Sequence, residues 1–351
     1  MNASASIPWP DDARRLAFEH WLADLAPLHG LDPASVAPAS ADASFRRYLR
    51  VQGTQGDLIV MDAPPALEDC KPFVKVAAML KQAGLNAPRV LAWDPAQGFM
   101  LLSDMGRQLY LDALNGADDA TIQRLMRDAI EALVRWQAGT LADSSAHGLP
   151  PYDEALLTRE LELFPTWCVQ REYGIQWDAA QKAQWQAVSR VLLDSALAQP
   201  RVAVHRDYMP RNLMVADPNP GILDFQDAVL GPITYDMASL LRDAFISWDE
   251  ERELDWAVRY WQAARAASLP VQDDFAEFWR ALEWMGTQRH LKVLGIFCRL
   301  KHRDGKPKYS QDLPRFFAYV RRVAMRYAQL APLLALIEPL DGGKVQAGYT
   351  F

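Results

Sequence analysis

Three oxygen-bearing side chains stand close together along this 351-residue chain, and their types suit a reaction at a phosphate group. Asp207 and Asn212 fall within the stretch HRDYMPRN, and Asp224 follows Asn212 by twelve residues. A carboxylate accepts a proton from an attacking hydroxyl, and carboxylate and amide oxygens are ligands that Mg²⁺ prefers. Phosphoryl transfer asks the protein mainly for positioning and charge stabilisation, so a set this small suffices for it.

The spacing of these residues matches a known pair of motifs. HRDxxxxN followed by LDFQD at Leu223–Asp227 resembles the catalytic loop and the D-F-x metal turn of the protein-kinase-like fold. The resemblance implies that Asp207 is the catalytic base. It also implies that Asn212 and Asp224 bind the Mg²⁺ ions that lie on the phosphates of ATP. We call His205–Asn212 the catalytic loop.

The residues around the catalytic loop favour this interpretation over an ordinary surface loop. Residues 201–204 predict a strand before the loop, and residues 213–215 predict a strand after it. Residues 217–221, DPNPG, have the composition of a turn, and residues 222–223 lead directly into Asp224. Loop, hairpin and metal-binding aspartate therefore follow one another in the order that the reaction requires.

Two further residues of this region are interpreted as structural supports. His205 is expected to hold the loop backbone to the metal turn. Asp236 stands at a predicted helix start, where its carboxylate would cap N–H groups and brace the catalytic loop. A direct chemical role for either residue is the less favoured alternative.

Composition excludes several classes of protein. Half of the chain is hydrophobic and 23% is charged, which is typical of globular proteins. No apolar run approaches the roughly 20 residues of a membrane span, and no signal-peptide pattern is present. Cys70, Cys168 and Cys298 match no zinc spacing, so we expect reduced thiols in the cytoplasm. A net charge of −7 argues against nucleic-acid binding.

The predicted elements change in character along the chain, and the change indicates an α+β fold. The first third alternates helices with short strands; these are a leading helix within residues 1–27, strands at 45–52, 57–61, 90–93 and 99–102, and a helix at 73–82. Long helical stretches cover residues 107–198 and 235–335. We expect a bilobal protein-kinase-like fold, with a small antiparallel-sheet N-terminal lobe in residues 1–105 and a larger, mostly helical lobe in residues 106–351.

The resemblance extends to one branch of this fold, the aminoglycoside phosphotransferases with the choline, homoserine and small-sugar kinases. It rests on the catalytic loop, residues 224–238, residues 80–90 and residues 101–106. The last stretch is similar to the hinge of that family, which implies that Ser103, Asp104 and Met105 contact the nucleotide. Spacing alone predicts no more than a small-molecule kinase.

A narrower resemblance concerns residues 61–65, 224–242 and 288–297, which are similar to the bacterial anomeric kinases of N-acetylmuramate and N-acetylglucosamine. The implied reaction converts ATP and a free amino sugar into the sugar 1-phosphate during peptidoglycan recycling. Two alternatives stay open: a kinase for an aminoglycoside or amino alcohol, and a nucleotide-binding pseudokinase scaffold. The preferred sugar and the oligomeric state are left open as well.

The expected nucleotide loop departs from the kinase pattern. Residues 41–48, ADASFRRY, replace the glycine-rich loop, and Ser44 offers a hydroxyl to phosphate. Either Arg46 or Arg47 could supply positive charge, but side chains alternate along a strand, so only one of them faces inward. A solvated strand face is the alternative for each arginine.

The lysine–glutamate ion pair of kinases is missing from its expected positions. The position of the third-strand lysine corresponds to the neighbourhood of Asp62 in this chain, and the position of its glutamate partner to the neighbourhood of Phe73. Loss of both residues together is physically consistent, because loss of one alone would leave a buried charge unpaired. We expect Arg46 or Arg47 to replace the missing lysine.

A basic segment follows in the second half of the chain. From Arg289 to Lys308 there are seven Lys or Arg and one acidic residue. We expect Arg289 and Lys292 to contact the acceptor sugar together with Arg211 and Asp227, since a cation would select the lactyl carboxylate of N-acetylmuramate. Such a segment argues against a polycationic aminoglycoside. The alternative is an ordinary solvated run of charge.

Overall fold

The chain divides into two units, which are described here one after the other. The computed structural model describes residues 7–41, 45–142 and 148–340. The first unit comprises Met1–Tyr110 and Asn212–Asp227, and the second comprises Leu111–Arg211 and Ala228–Phe351. Asp207 therefore belongs to the second unit, whereas Asn212 and Asp224 belong to the first. The predicted lobe boundary between residues 105 and 106 stays a prediction.

A five-stranded antiparallel sheet and two helices form most of the first unit. The strands lie in the order β1-β2-β3-β5-β4. In chain order the elements are α1 (Asp12–His29), β1 (Leu31–Ala41), β2 (Arg47–Gly53), β3 (Leu58–Asp62), α2 (Lys71–Gln82), β4 (Val90–Asp94) and β5 (Phe99–Ser103). The predicted helices and the four predicted strands of this region are confirmed within a few residues.

Strand β1 was not predicted, because its sequence contains two prolines. Pro33 and Pro38 lack the N–H that a central strand needs, so they weigh against a strand in any local pattern. The structure places β1 at the edge of the sheet, where proline is tolerated. Its pairing with β2 is irregular between Asp32 and Ala37 and between Pro38 and Ser40.

Helix α1 covers one face of the sheet. Phe18 and Leu22 of this helix pack with Val60, Phe99 and Leu101 in one buried cluster. Side chains alternate along a strand, so the carboxylate of the last β3 residue lies on the same face as Val60.

That last β3 residue, Asp62, is fully buried and forms ion pairs with two arginines. Arg14 of α1 donates to it at 2.5 Å, and Arg47 of β2 forms the second pair. The guanidinium of Arg14 also lies 4.0 Å from the ring centroid of Phe99. The side chain of Asp62 thus points to the α1 face and serves as the anion of a structural cluster, which gives this residue a role of its own at the position where a kinase lysine is expected.

A small hairpin between Asn212 and Asp224, the two predicted metal ligands, completes the first unit. Strands β7 (Leu213–Met214) and β8 (Gly221–Ile222) pair antiparallel, as the sequence predicts. The hairpin is bound to the sheet region by two backbone hydrogen bonds, from Ile222 to Asn86 at 2.8 Å and from Val215 to Gln108 at 2.9 Å. The segment that contains Asn212 and Asp224 therefore belongs to the same body as the sheet.

The second unit is mostly helical. Its elements, together with a helix that begins at the unit boundary, are α3 (Tyr110–Leu114), α4 (Asp119–Ala142), α5 (Glu154–Leu161), α6 (Ala179–Ala198), β6 (Arg201–Val204), β9 (Val229–Pro232), α7 (Tyr235–Leu241), α8 (Glu250–Ala266), α9 (Phe275–Asp304), α10 (Leu313–Arg326) and α11 (Pro332–Ile337). Strands β6 and β9 pair antiparallel, and the catalytic loop follows directly after β6. The predicted strand at residues 201–204 is confirmed.

Helix α9 is the longest helix among the described residues, and most of its central turns are buried. Gly295 lies directly against the backbone of Leu163, at the entry to a π-helical segment, so a Cβ at position 295 would collide with it. This close approach explains the glycine within residues 288–297.

None of the helices in the described part of the chain has the length and apolar character of a bilayer span. The α+β prediction, a small antiparallel sheet with a larger helical part, is confirmed.

The Asp62 cluster yields a stability prediction. Asp62→Ala should lower the free energy of unfolding by about 3 kcal/mol, since it leaves two arginines beside a buried site without their anion. The lower end of the usual range applies, because Arg14 and Arg47 keep side-chain exposures of 14% and 25%. Urea unfolding measures the change. Asp24→Ala, at an exposed position of α1, is the matched control, and equal effects of the two substitutions would contradict the prediction.

Candidate active site

The backbone of the catalytic loop is held by one buried carboxylate. Asp236, in the first turn of α7, accepts the N–H of His205 at 2.7 Å and the N–H of Arg206 at 2.9 Å. Burial raises the pKa of Asp236 to about 7, against the lowering effect of the two N–H donors. This geometry supports the predicted bracing role of Asp236.

His205 supports the same loop from inside. Its imidazole is buried, and Nδ1 accepts the N–H of Asp207 at 3.3 Å. The ring meets that of Tyr208 edge to face at 5.6 Å, and the Tyr208 hydroxyl donates to the carbonyl of Ala129. These contacts lie within the second unit and support the loop; the predicted link from His205 to the metal turn stays a prediction.

The carboxylate of Asp207 is accessible and has a cation beside it. Its side chain is 39% exposed, whereas Arg289 of α9 is only 4% exposed. Arg289 Nη2 lies 3.8 Å from Asp207 Oδ1, at the limit of an ion pair. A carboxylate that is partly open to solvent can be reached by the hydroxyl of a small substrate and can accept its proton.

Asn212 and Asp224 meet in the first unit. Asn212 Nδ2 donates to Asp224 Oδ2 at 3.3 Å, and Gln226 Nε2 donates to Asp224 Oδ1 at 2.8 Å. The N–H of Leu223 donates to the carbonyl of Asn212 at 2.9 Å, which fixes the two backbones to each other. The ring of Phe225 packs at 4.7 Å against Phe73 of α2 and anchors the turn.

This donor set fits Mg²⁺ with few protein ligands. Asp224 brings a full charge and Asn212 brings a neutral amide oxygen, both hard donors. Among the residues that the structure describes, no three His, Cys, Asp or Glu side chains are grouped as a metal site. Mg²⁺ is usually bound by one or two carboxylates together with substrate phosphates, and the pair matches that pattern.

Two backbone positions in these motifs are strained. Arg206 has φ of 76° and Asp224 has φ of 59°, in the left-handed region that glycine favours. Each such residue costs about 1–3 kcal/mol unless its surroundings hold it, and such residues concentrate at functional sites. One strained residue therefore directly precedes Asp207, and the other is a candidate metal ligand itself.

Two of the residues predicted to bind the phosphates of the nucleotide, Arg46 and Arg47, lie in different surroundings. Ser44 lies outside the described residues. Arg47 is bound to Asp62, as described above. Arg46, directly before β2, forms an ion pair with Glu68 at 3.1 Å, just before α2. The two neighbouring arginines therefore bind different carboxylates, and which of them faces a nucleotide stays a prediction.

The hinge residues after β5 make local contacts within the first unit. Ser103 Oγ accepts the N–H of Arg89 at 2.9 Å. Asp104 forms an ion pair with Arg50 of β2 and accepts the N–H of Gly106 at 2.9 Å. Met105 lies against Gly221 of β8. Their predicted contacts with nucleotide stay predictions.

The four predicted sugar-binding residues lie in different surroundings. Lys292 is buried, and its ammonium lies 2.9 Å from Glu160 and 3.0 Å from the hydroxyl of Tyr235. Arg211 lies over the ring of Phe245 at 5.1 Å, and Asp227 is exposed in the first unit. Of the four, Arg289 and Lys292 share one side of α9, and Lys292 is already neutralised by a carboxylate.

Sequence reasoning missed Glu68 and Glu160. Glu68 offers no local signal, since it precedes α2 in an irregular segment. Glu160 does offer one: it lies between Leu157 and Leu161 on the buried side of α5, where a charged residue interrupts an apolar stripe. A charge in that position requires a buried partner.

Comparison with known proteins gives a consistent family. The model of the phosphotransferase enzyme family matches residues 35–284. The N-acetylmuramate/N-acetylglucosamine kinase of Pseudomonas putida is 54% identical over 309 residues, covering 88% of this chain and 89% of that protein. The protein of the same name from Pseudomonas aeruginosa is 49% identical over 340 residues, covering 95% and 98%.

Solved structures are similar at the level of the fold. An amicoumacin kinase in complex with AMP-PNP, Ca²⁺ and Ami has a TM-score of 0.59 at 15% identity, covering 86% of this chain and 94% of that chain. A choline/ethanolamine kinase family protein from Mesorhizobium loti has a TM-score of 0.56 at 15% identity, covering 94% and 100%.

Proposed function

This chain belongs to the phosphotransferase enzyme family, and we propose that it transfers the γ-phosphoryl group of ATP to the C1 hydroxyl of N-acetylmuramate and N-acetylglucosamine. The identity of about half of all residues with two kinases named for these sugars supports the substrate. The observation that carries the chemistry is the meeting of Asn212 and Asp224 in one hydrogen-bonded pair. Peptidoglycan recycling in the cytoplasm is the proposed setting.

Asp207 is proposed as the catalytic base. Its exposed carboxylate accepts a hydrogen bond from the C1 hydroxyl and orients that oxygen toward the γ-phosphorus. As the C1 oxygen forms its bond to phosphorus, the bond from phosphorus to the β-phosphate oxygen breaks and the hydroxyl proton passes to Asp207. A hemiacetal hydroxyl is more acidic than an ordinary alcohol, so a carboxylate of ordinary basicity suffices.

Asn212 and Asp224 are proposed to hold Mg²⁺. The ion, when bound, neutralises charge on the phosphates of the nucleotide. The protein fixes the two proposed metal-binding side chains relative to each other. Gln226 holds one oxygen of Asp224, and the backbone hydrogen bond between Leu223 and Asn212 fixes the distance between the two segments.

Arg46 is proposed to supply the positive charge that a kinase lysine usually supplies. Its pair with Glu68 repeats the chemistry of the missing lysine–glutamate pair, although both residues lie at other sequence positions. An arginine held by a carboxylate keeps its planar guanidinium in a fixed orientation, which suits phosphate. Arg47 is excluded from this role by its binding to Asp62.

The acceptor side is proposed to tolerate both sugars. Lys292 is neutralised by Glu160, so it is a weak candidate for selecting the lactyl carboxylate of N-acetylmuramate. Arg289 lies beside Asp207, and we propose that it contacts both the carboxylate of Asp207 and the sugar. Arg211 and Asp227 remain proposed sugar contacts. Asp207, Asn212 and Asp224 are all present, which argues against the scaffold alternative.

A panel of sugars tests the proposed function. The protein is incubated with ATP, Mg²⁺ and either N-acetylmuramate, N-acetylglucosamine, kanamycin or choline, and ³¹P NMR detects the product. An anomeric phosphate with both amino sugars is expected. Turnover of kanamycin or choline alone would favour the other kinases of this branch, and nucleotide binding without any turnover would favour the scaffold.

The base assignment predicts the effect of one isosteric change. Asp207→Asn should lower kcat by ~10²–10⁴-fold, because the amide cannot accept the proton. The apparent Kd for ATP should stay within about twofold. Asp217→Asn, at an exposed position in the β7–β8 hairpin, is the control for loss of a carboxylate. Turnover of Asp207→Asn within a few-fold of wild type would show that another group takes the proton.

The metal assignment predicts an order of effects. Asp224→Ala and Asn212→Ala should both raise the Mg²⁺ concentration needed for half-maximal rate, and Asp224→Ala should be the more severe because it removes a full charge. A Mg²⁺ titration of initial rates measures this, with Asp217→Ala as the control. Small and equal effects at both positions would contradict the assignment.

Substitution of Arg46 should weaken ATP binding, whereas substitution of Arg47 should weaken the fold. Arg46→Ala should raise the KM for ATP about tenfold or more, the size expected for loss of a charge-assisted hydrogen bond, with the KM for sugar little changed. Arg47→Ala should instead lower the free energy of unfolding, because it removes one partner of buried Asp62. Steady-state kinetics and urea unfolding separate the two. A normal KM for ATP in Arg46→Ala would refute the replacement of the kinase lysine.

A further inference from the structure

A buried carboxylate in the second unit has no part in the reaction as proposed. Glu160 lies near the end of α5 with only 4% of its surface exposed. Its Oε1 accepts from Arg206 at 2.7 Å and lies 2.9 Å from the ammonium of Lys292. Its Oε2 accepts from the hydroxyl of Tyr152 and from Gln288 at 3.3 Å. Both oxygens are therefore saturated by donors from three parts of the unit.

One of these donors directly precedes the proposed base. Arg206 holds its strained backbone through Asp236, which accepts its N–H, and holds its side chain through Glu160. Because the residue is bound at both ends, the direction of the chain into Asp207 is determined. Without Glu160, the side chain would lose its ion pair, which weakens the support of a backbone conformation that costs about 1–3 kcal/mol.

Glu160 also balances charge around Asp207. Burial raises the pKa of Glu160, but Lys292 and Arg206 outweigh it and lower the pKa to about 2, so the side chain stays anionic. Other charged groups that act on Asp207 are Arg289 and Asp236. Removing the anion would leave the cations of this cluster, Arg206, Lys292 and Arg289, in excess.

We propose that Glu160 is a positioning residue for the phosphoryl transfer: it orients Asp207 through Arg206 and offsets the cations that would otherwise weaken Asp207 as a base. This inference rests on the proposed function, in which Asp207 takes the proton. A purely structural Glu160 would affect stability and leave the kinetics of the folded enzyme unchanged.

The test uses the isosteric, uncharged variant Glu160→Gln in the full-length enzyme with ATP, Mg²⁺ and N-acetylglucosamine. We expect kcat to fall about tenfold or more, the loss expected when a catalytic group is misplaced, while the KM for ATP changes less than about twofold. The acid limb of the kcat–pH profile should move to lower pH, because uncompensated cations favour the charged form of Asp207. Glu162→Gln, an exposed position on the same segment, is the matched control and should resemble wild type in both readouts.

A second variant tests the route through Arg206. Arg206→Met leaves Glu160 paired with Lys292, so it keeps a buried partner for the carboxylate. Arg206→Met should lower kcat as Glu160→Gln does. It should not move the acid limb of the kcat–pH profile to lower pH, because this change removes a cation and not an anion. The double variant should lose no more activity than the worse single variant, because both changes break one interaction. If Glu160→Gln does not fold, Arg206→Met carries the test alone.

The outcomes distinguish this inference from the proposed function. Wild-type kcat and an unmoved acid limb in folded Glu160→Gln, or wild-type kcat in Arg206→Met, would overturn the positioning role. Asp207→Asn is measured in the same series. If it retains turnover, the base assignment fails; if it loses turnover while both other variants remain active, the base assignment stands and only the role of Glu160 fails.

Discussion

The hydrogen bonds from the backbone of His205 and Arg206 to Asp236 are the interaction on which the catalytic loop depends. They hold a left-handed residue, Arg206, in the loop that directly follows the short strand β6, outside any helix or strand. A carboxylate is suited to this because its two oxygens each accept one N–H, and burial in the first turn of α7 keeps water from competing. The position of Asp207 follows from this clamp.

Buried charge is compensated locally in both units. Asp62 is bound by Arg14 and Arg47 in the first, and Glu160 is bound by Arg206 and Lys292 in the second. An uncompensated charge in either place would cost several kcal/mol, so these residues are mutually dependent. In the first unit the cluster joins a helix to the sheet, whereas in the second it reaches the catalytic loop.

The pair of Arg46 and Glu68 also follows this rule of pairing. In the phosphate-binding role that we propose for Arg46, Glu68 would hold the cation when no nucleotide is bound, from positions that differ from those of the kinase lysine and glutamate. The apolar contact of Phe73 with Phe225 occupies the place where the glutamate was expected. In our proposal, the same physical requirement is met by different residues.

Sequence alone determined the catalytic loop, the metal turn and most elements of the sheet, because each is encoded within a few neighbouring residues. Turn chemistry and strand alternation are local, and so are the spacings of Asp207, Asn212 and Asp224. It did not determine β1, whose prolines are tolerated only because tertiary structure puts that strand at an edge. Only tertiary structure decided the partners of buried charges: Asp62 lies 48 residues from Arg14, and Glu160 lies 46 from Arg206 and 128 from Gln288. Which face a charged side chain enters, and which donors meet it there, depends on how distant segments pack.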